Sequence, residues 1–173
     1  MSETRAPNFL GNYPHVLDDK GRLTLPSPIR QELLRASTLP ERLYISFFPG
    51  NRRLTLYTFE MWNEASAIWS QDDRFPSAAV KVSAQRLFFS NVEPVTLDKV
   101  GRFLIPTQFR ERIGLGLSEK IVVNGTGKRI EIWKPEDFQA NELVDLEVWK
   151  SALDLDAQRA TQLPVDAPRL PEW

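Results

Sequence analysis

The chain has 173 residues, 42% of them hydrophobic, with five Trp, ten Phe and no Cys. That is enough for one compact domain or two small ones with a real core, and the lack of thiols excludes disulfides, thiolate metal sites and cysteine nucleophiles. The net charge of −1 is unevenly placed: residues 136–173 carry three basic against nine acidic side chains, a net −6, which leaves +5 for residues 1–135. This asymmetry permits a polyanionic partner without demanding one, since a basic body with a solvated acidic helix accounts for it equally well.

The opening "MSETRAPNFLGNYPH" has no apolar stretch behind a basic stub, so no secretory signal is expected. Nothing approaches the 18 or so continuous apolar residues of a membrane helix. Cysteine-free composition fits a reducing cytoplasm.

A ten-residue phrase then occurs twice: "LDDKGRLTLP" at 17–26 and "LDKVGRFLIP" at 97–106. Aligned without a gap over 16–30 and 96–110, Leu17/Leu97, Asp18/Asp98, Gly21/Gly101, Arg22/Arg102, Pro26/Pro106 and Arg30/Arg110 are identical. With short deletions the match continues through "RLYI" and "KIVV", then "RLTLYTFEMW" and "RIEIWKPEDF". Such self-similarity reads as an internal duplication.

Each copy reads locally in the same way. "DDKG" and "DKVG" are turns, with Asp accepting from amides two residues on and Gly supplying a positive φ. "RLTLP" and "RFLIP" are short alternating strands stopped by Pro. Ser27 and Thr107 are expected helix N-caps, with Pro28 at the first helical position. The helices "PIRQELLRAS" and "QFRERIGL" place Ile29/Leu33 and Phe109/Ile113 on one face, and Gly114 ends the second. "LYISFF" and "RLTLYTF" form a hairpin across "PGNR", and "KIVVNGTGKRIEIW" forms its counterpart across "NGTG". The unit is therefore strand, turn, strand, helix, hairpin, an α+β composition.

Between the copies, "EMWNEASAIWSQ" and "PSAAVKVSAQRLFFS" read as helices around the loop "DDRFP". After the second, "PEDFQANELVDLEVWKSALDLDAQ" reads as a helix and the proline-rich "LPVDAPRLPEW" as a free tail. The expected divisions are a first repeat at 12–60, a helical connector at 61–90, a second repeat at 91–140, and a C-terminal helix with its tail at 141–173.

These residues resemble a known pattern. "LDDKGRLTLPSPIRQELL" and "LDKVGRFLIPTQFRERIGL", preceded by "FLGNYPHV", look like the paired Asp-x-x-Gly-Arg motifs of the MraZ family of bacterial transcription regulators, each half similar to an SpoVT/AbrB-like unit. The resemblance covers about residues 9–150. It implies a small swapped-hairpin (AbrB-like) β-barrel built from two internal repeats, with flanking helices. It also implies a cytoplasmic, nucleoid-associated protein that assembles into ring-shaped homo-oligomers. Its partner would be double-stranded DNA at promoter direct repeats, those of the division and cell-wall gene cluster. The family's contacting element falls on Asp18 and Arg22 and on Asp98 and Arg102. The chain departs from the family with Leu10 in place of a frequent Arg, and with Val100 where the first copy has Lys20.

The chemistry of the motif leaves two readings open. Arg offers a planar fork suited to phosphate or to the O6/N7 edge of guanine; equally, it could pair internally with its own Asp. Lys20 and Lys99 are candidate phosphate contacts. Asp18 and Asp98 hold the turn or orient the Arg, and Gly21 and Gly101 are backbone devices. Arg30 and Arg110 are solvated, ion-paired or DNA-facing. Arg52, Arg53, Lys128 and Arg129 read as exposed strand ends or subunit contacts.

His15, the only histidine, reads as a satisfied strand residue, so no metal, cofactor or catalytic site is expected. "NGTGKR" lacks phosphate-loop spacing. Trp62, Trp69, Phe88, Phe89, Trp133, Phe138 and Trp149 are expected in core and interface rather than as a stacking platform. The alternative to a DNA regulator is an assembly module with structural arginines; an enzyme is the least supported reading.

Overall fold

The computed structural model describes residues 6–36, 42–71 and 75–162. In order, the strands and helices are β1 (Asn12–Val16), β2 (Arg22–Thr24), α1 (Ser27–Ala36), β3 (Arg42–Phe47), β4 (Arg53–Tyr57), α2 (Phe59–Gln71) and α3 (Ala78–Phe89). They continue with β5 (Val92–Thr96), β6 (Arg102–Leu104), α4 (Thr107–Arg112), β7 (Lys120–Gly125), β8 (Ile130–Trp133) and α5 (Pro135–Gln162). The architecture is α+β. The chain divides into two compact bodies at Asp137/Phe138.

In the first body, six strands make one antiparallel sheet in the order β1-β7-β8-β4-β3-β5, and β2 pairs with β6 in a separate two-stranded ribbon. Exchanging β1–β4 with β5–β8 leaves this order unchanged read from the other end. Every pairing has its counterpart: β1 with β7 matches β5 with β3, and the hairpins β3–β4 and β7–β8 meet through β4 and β8.

The sheet is open, which corrects the closed barrel expected from the resemblance. Its outer strands are β1 and β5. Each contains a proline, Pro14 opposite Val122 and Pro94 opposite Tyr44. Proline cannot donate to a ladder, so such strands belong at edges. The two strands that follow the turns leave the sheet altogether and pair with each other.

Alternation builds the core. Leu43, Ile45, Leu54, Leu56, Ile121, Val123, Ile130 and Ile132 are buried on one face of the sheet. Leu23 and Phe103 of the ribbon, Leu25 and Ile105 just beyond it, and Ile29, Leu33, Phe109 and Ile113 from α1 and α4 belong to the same cluster. On the opposite face, Tyr44 stacks on Trp62 of α2, which stacks on Phe88 of α3, which stacks on Trp69.

Several local expectations shift. Thr107 does not cap α4. Pro106 occupies the cap position without a side-chain bond, and Thr107 Oγ1 accepts from Arg110 Nη2 at 3.0 Å. Likewise α1 begins at Ser27, with the Arg30 amide donating to Pro26 O at 3.0 Å, so Pro26 takes the cap position expected of Ser27. Ser77 is a true cap, accepting from the Val80 amide. Asn124 and Gly125, expected in a turn, close β7. Residues 72–74 of the expected "DDRFP" loop and the tail at 163–173 lie outside the described residues.

In the second body, α5 exposes Leu143, Val148 and Trp149, the last at 63%. Trp149 is thus not a core residue of this chain, although it was expected among the core and interface aromatics. Among the described residues, no helix is long and apolar enough to cross a membrane.

Leu54 lies fully buried in central strand β4. Leu54→Ala is expected to lower stability by about 2–5 kcal/mol, through lost burial and the cavity left behind. Urea denaturation reads this directly.

Candidate nucleic-acid interface

The ribbon's register pairs Arg22 with Leu104, Leu23 with Phe103, and Thr24 with Arg102. Strand alternation sends Leu23 and Phe103 into the core, where both are buried. Arg22, Thr24, Arg102 and Leu104 therefore share the outward face. The two arginines sit diagonally across it, about 7–8 Å apart at Cα for such neighbours.

The turn before each strand is built alike. Asp18 Oδ1 accepts from the amides of Lys20 and Arg22 at 2.9 and 2.8 Å, and Oδ2 accepts from Arg22 Nε at 2.7 Å. Asp98 Oδ1 accepts from the amides of Val100 and Arg102, both at 2.9 Å, and Oδ2 accepts from Arg102 Nε at 2.7 Å. The Gly21 and Gly101 amides donate to the Asp18 and Asp98 carbonyls at 3.1 and 2.9 Å. Both glycines have φ of +79°, a conformation side chains rarely adopt.

Internal pairing and outward presentation coexist here. Asp engages only Nε, and no described residue accepts from the Nη atoms of Arg22 or Arg102. Their side chains remain 35% and 38% exposed. Each guanidinium is fixed at one edge, and its other donors are not engaged by any described residue.

The arginines of α1 and α4 explain why these turns hold still. Arg30 lies over Gly101 and Arg110 over Gly21, each reaching the turn that the other half supplies. Arg30 Nη1 donates to Val100 O at 2.8 Å, while its buried Nε has no acceptor. Reciprocal backbone bonds, Leu25 N to Gly101 O and Ile105 N to Gly21 O, both 3.0 Å, lock the same junction. A Cβ on Gly101 would overlap the Arg30 side chain, and one on Gly21 would lie 3.0 Å from Arg110 Nε. Arg30 and Arg110 are thus positioning residues, a role that the sequence reading did not single out.

Lys20 and Lys99 are exposed on the two turns. His15 is half-buried in β1, opposite Ile121. Among the described residues, no group of three or more His, Cys, Asp or Glu could hold a metal.

Of the hairpin cations only Arg53 turns inward; Arg52 and Lys128 stay exposed, as expected, and Arg129 is half-exposed. Arg53 and Arg129 Nε lie 3.1 and 3.5 Å from Oε1 of buried Glu131, whose Oε2 accepts from Trp133 Nε1 at 3.0 Å. The contact of Arg53 Nε is an ion pair without hydrogen-bond alignment. Arg53 also lies over the Trp133 ring. Lys128 pairs with Glu64 at 2.8 Å, and Arg52 with Asp137 at 3.1 Å. This network was illegible in the sequence because Glu131 reads there as an ordinary solvent-facing strand residue.

The site defined by this geometry is a two-stranded ribbon presenting two preoriented guanidinium groups on one uncovered face. A family profile described as "MraZ protein, putative antitoxin-like" matches residues 88–153. "Transcriptional regulator MraZ" of Dictyoglomus thermophilum is 38% identical over 131 residues, 76% of this chain and 82% of that protein. The protein of the same description from Thermomicrobium roseum is 32% identical over 133 residues, covering 76% and 85%. The chain belongs to the MraZ family.

Hydrogen bonds to the ionised Asp18 carboxylate, chiefly from the Arg22 amide and then from its guanidinium and the Lys20 amide, outweigh partial desolvation and lower its pKa from 3.8 to about 2. Asp98 is lowered by the same donors of its own turn, led by the Arg102 amide. A depressed carboxylate pKa stabilises the fold above the unfolded-state value, and that stabilisation fades as pH falls through the folded-state value. The stability gap between the wild type and Asp18→Asn is therefore expected to be constant above about pH 5 and to shrink toward about pH 2. Denaturant midpoints across this range check it.

Proposed function

We propose that this protein is a sequence-specific double-stranded DNA-binding transcription regulator, with Arg22 and Arg102 leading the contacts and Lys20 and Lys99 holding phosphates. The observation that carries this reading is the pair of Nε-anchored guanidinium groups with uncommitted Nη donors on one ribbon face. An antiparallel ribbon fits the major groove, and an oriented Arg fork matches the guanine O6/N7 edge. The names of the relatives, which describe transcriptional regulators, point the same way.

We read residues 12–60 and 91–140 as two copies of one AbrB-like unit, joined by the connector at 61–90 and followed by the C-terminal segment at 141–173. Asp18 and Asp98 orient the arginines, while Gly21 and Gly101 shape the turns. The ribbon's four cations stand beside Asp18, Asp19 and Asp98, so a single protomer binds weakly. Assembly into a ring-shaped homo-oligomer aligned with tandem promoter repeats would multiply that binding through effective concentration. The uncovered apolar side chains of α3 and α5, Val82 and Leu87 on one and Leu143 and Val148 on the other, support self-association. By the same reading the target is the promoter of the division and cell-wall gene cluster, and the protein acts in the cytoplasm at the nucleoid.

Arg22→Ala and Arg102→Ala are each expected to weaken binding to repeat DNA at least about tenfold, while light scattering shows an unchanged oligomer. Lys20→Ala and Lys99→Ala should weaken all sequences evenly and shallow the log–log salt slope by about 0.9 per contact. Unchanged affinity in both arginine variants, read by gel shift, overturns the site.

A further inference from the structure

The outward face of the ribbon holds two residues besides the arginines, and they differ between its halves. Thr24 stands opposite Arg102, whereas Leu104 stands opposite Arg22. Leu104 is 54% exposed. A lone exposed leucine is ordinary on a protein surface. This one is distinguished by its company: a guanidinium directly across the ladder, another two residues earlier on its own strand, and a ribbon whose opposite face is core. The strand needs no leucine there for packing, because Phe103 supplies its buried side chain.

We propose that Leu104 is a specificity-determining residue that reads the 5-methyl group of thymine. The inference rests on the DNA reading of the preceding subsection and deepens it. With the ribbon seated in a major groove about 12 Å wide, all four outward side chains reach base edges. Arg22 and Arg102 match guanine. Leu104 has no polar atom and meets a base favourably only through apolar contact, for which the thymine methyl is the partner of the major groove. Thr24 has both a hydroxyl and a methyl, and accepts either class of base edge.

The two halves of the face therefore impose different demands. The Arg22–Leu104 side requires a thymine next to its guanine, and the Arg102–Thr24 side does not. The turns differ as well, with Lys20 before Arg22 and exposed Val100 before Arg102. A face so biased reads a site with direction.

The test uses the full chain and duplexes selected by it from a randomised library, with each thymine in turn replaced by deoxyuridine, which deletes only the 5-methyl group. For the wild type, one replacement is expected to weaken binding about threefold to tenfold. Leu104→Ala should bind the thymine duplex weaker by a similar factor and no longer distinguish it from the deoxyuridine duplex. Because Leu104 is outside the core, denaturant midpoints should match the wild type. Indifference of the wild type to every replacement overturns the proposal, as does undiminished discrimination by Leu104→Ala. Failure of the parent reading looks different: no sequence is enriched from the library, or Arg22→Ala and Arg102→Ala bind the enriched duplex unchanged.

Discussion

The ribbon depends on a reciprocal packing of arginine against glycine. Each turn adopts a left-handed glycine conformation, and each is covered by an arginine from the helix of the other half. The stems of Arg30 and Arg110 occupy the space that a side chain at Gly101 or Gly21 would take. One backbone bond in each direction then ties the end of one strand to the opposite turn. Neither turn is complete without the other half, so the two guanidinium-bearing bends stand at a fixed distance from each other. That fixed distance is what the proposed duplex-reading surface requires.

The same turns engage only part of the donor set of a single side chain. Asp18 and Asp98 take Nε and the backbone amides, which fixes the plane of the guanidinium while its Nη edge stays uncommitted. A long flexible side chain normally loses rotamer freedom on binding. Here part of that loss is already met in the free protein. The carboxylates also offset some of the positive charge of the face.

The remainder of the first body keeps this ribbon in place. Leu23 and Phe103 insert into the same cluster as the central strands, so moving the ribbon would open the core. On the far side of the sheet, Glu131 is buried between Arg53, Arg129 and the Trp133 indole. Removing both arginines would leave the buried carboxylate uncompensated. The prolines of β1 and β5 leave both sheet edges without a complete row of donors, which discourages edge-to-edge pairing.

The chain by itself determined the local elements and the turn chemistry. The order Asp, Gly, Arg, then alternating apolar residues and Pro, dictates a side-chain-stapled bend leading into a half-buried strand, because these are short-range effects of backbone conformation and hydrogen bonding. The faces of Ile29/Leu33 and Phe109/Ile113 were legible for the same reason. Only tertiary structure decided what pairs with what. That β2 meets β6 rather than joining the main sheet, that Arg30 and Arg110 cover each other's turns, and that Leu104 stands beside Arg22 are contacts between residues more than seventy positions apart. The expected closed barrel failed at the same level, since strand order is set by which edges can still donate and by which faces must be buried together. Periodicity along one strand reports the burial of its own face and carries no record of its neighbour.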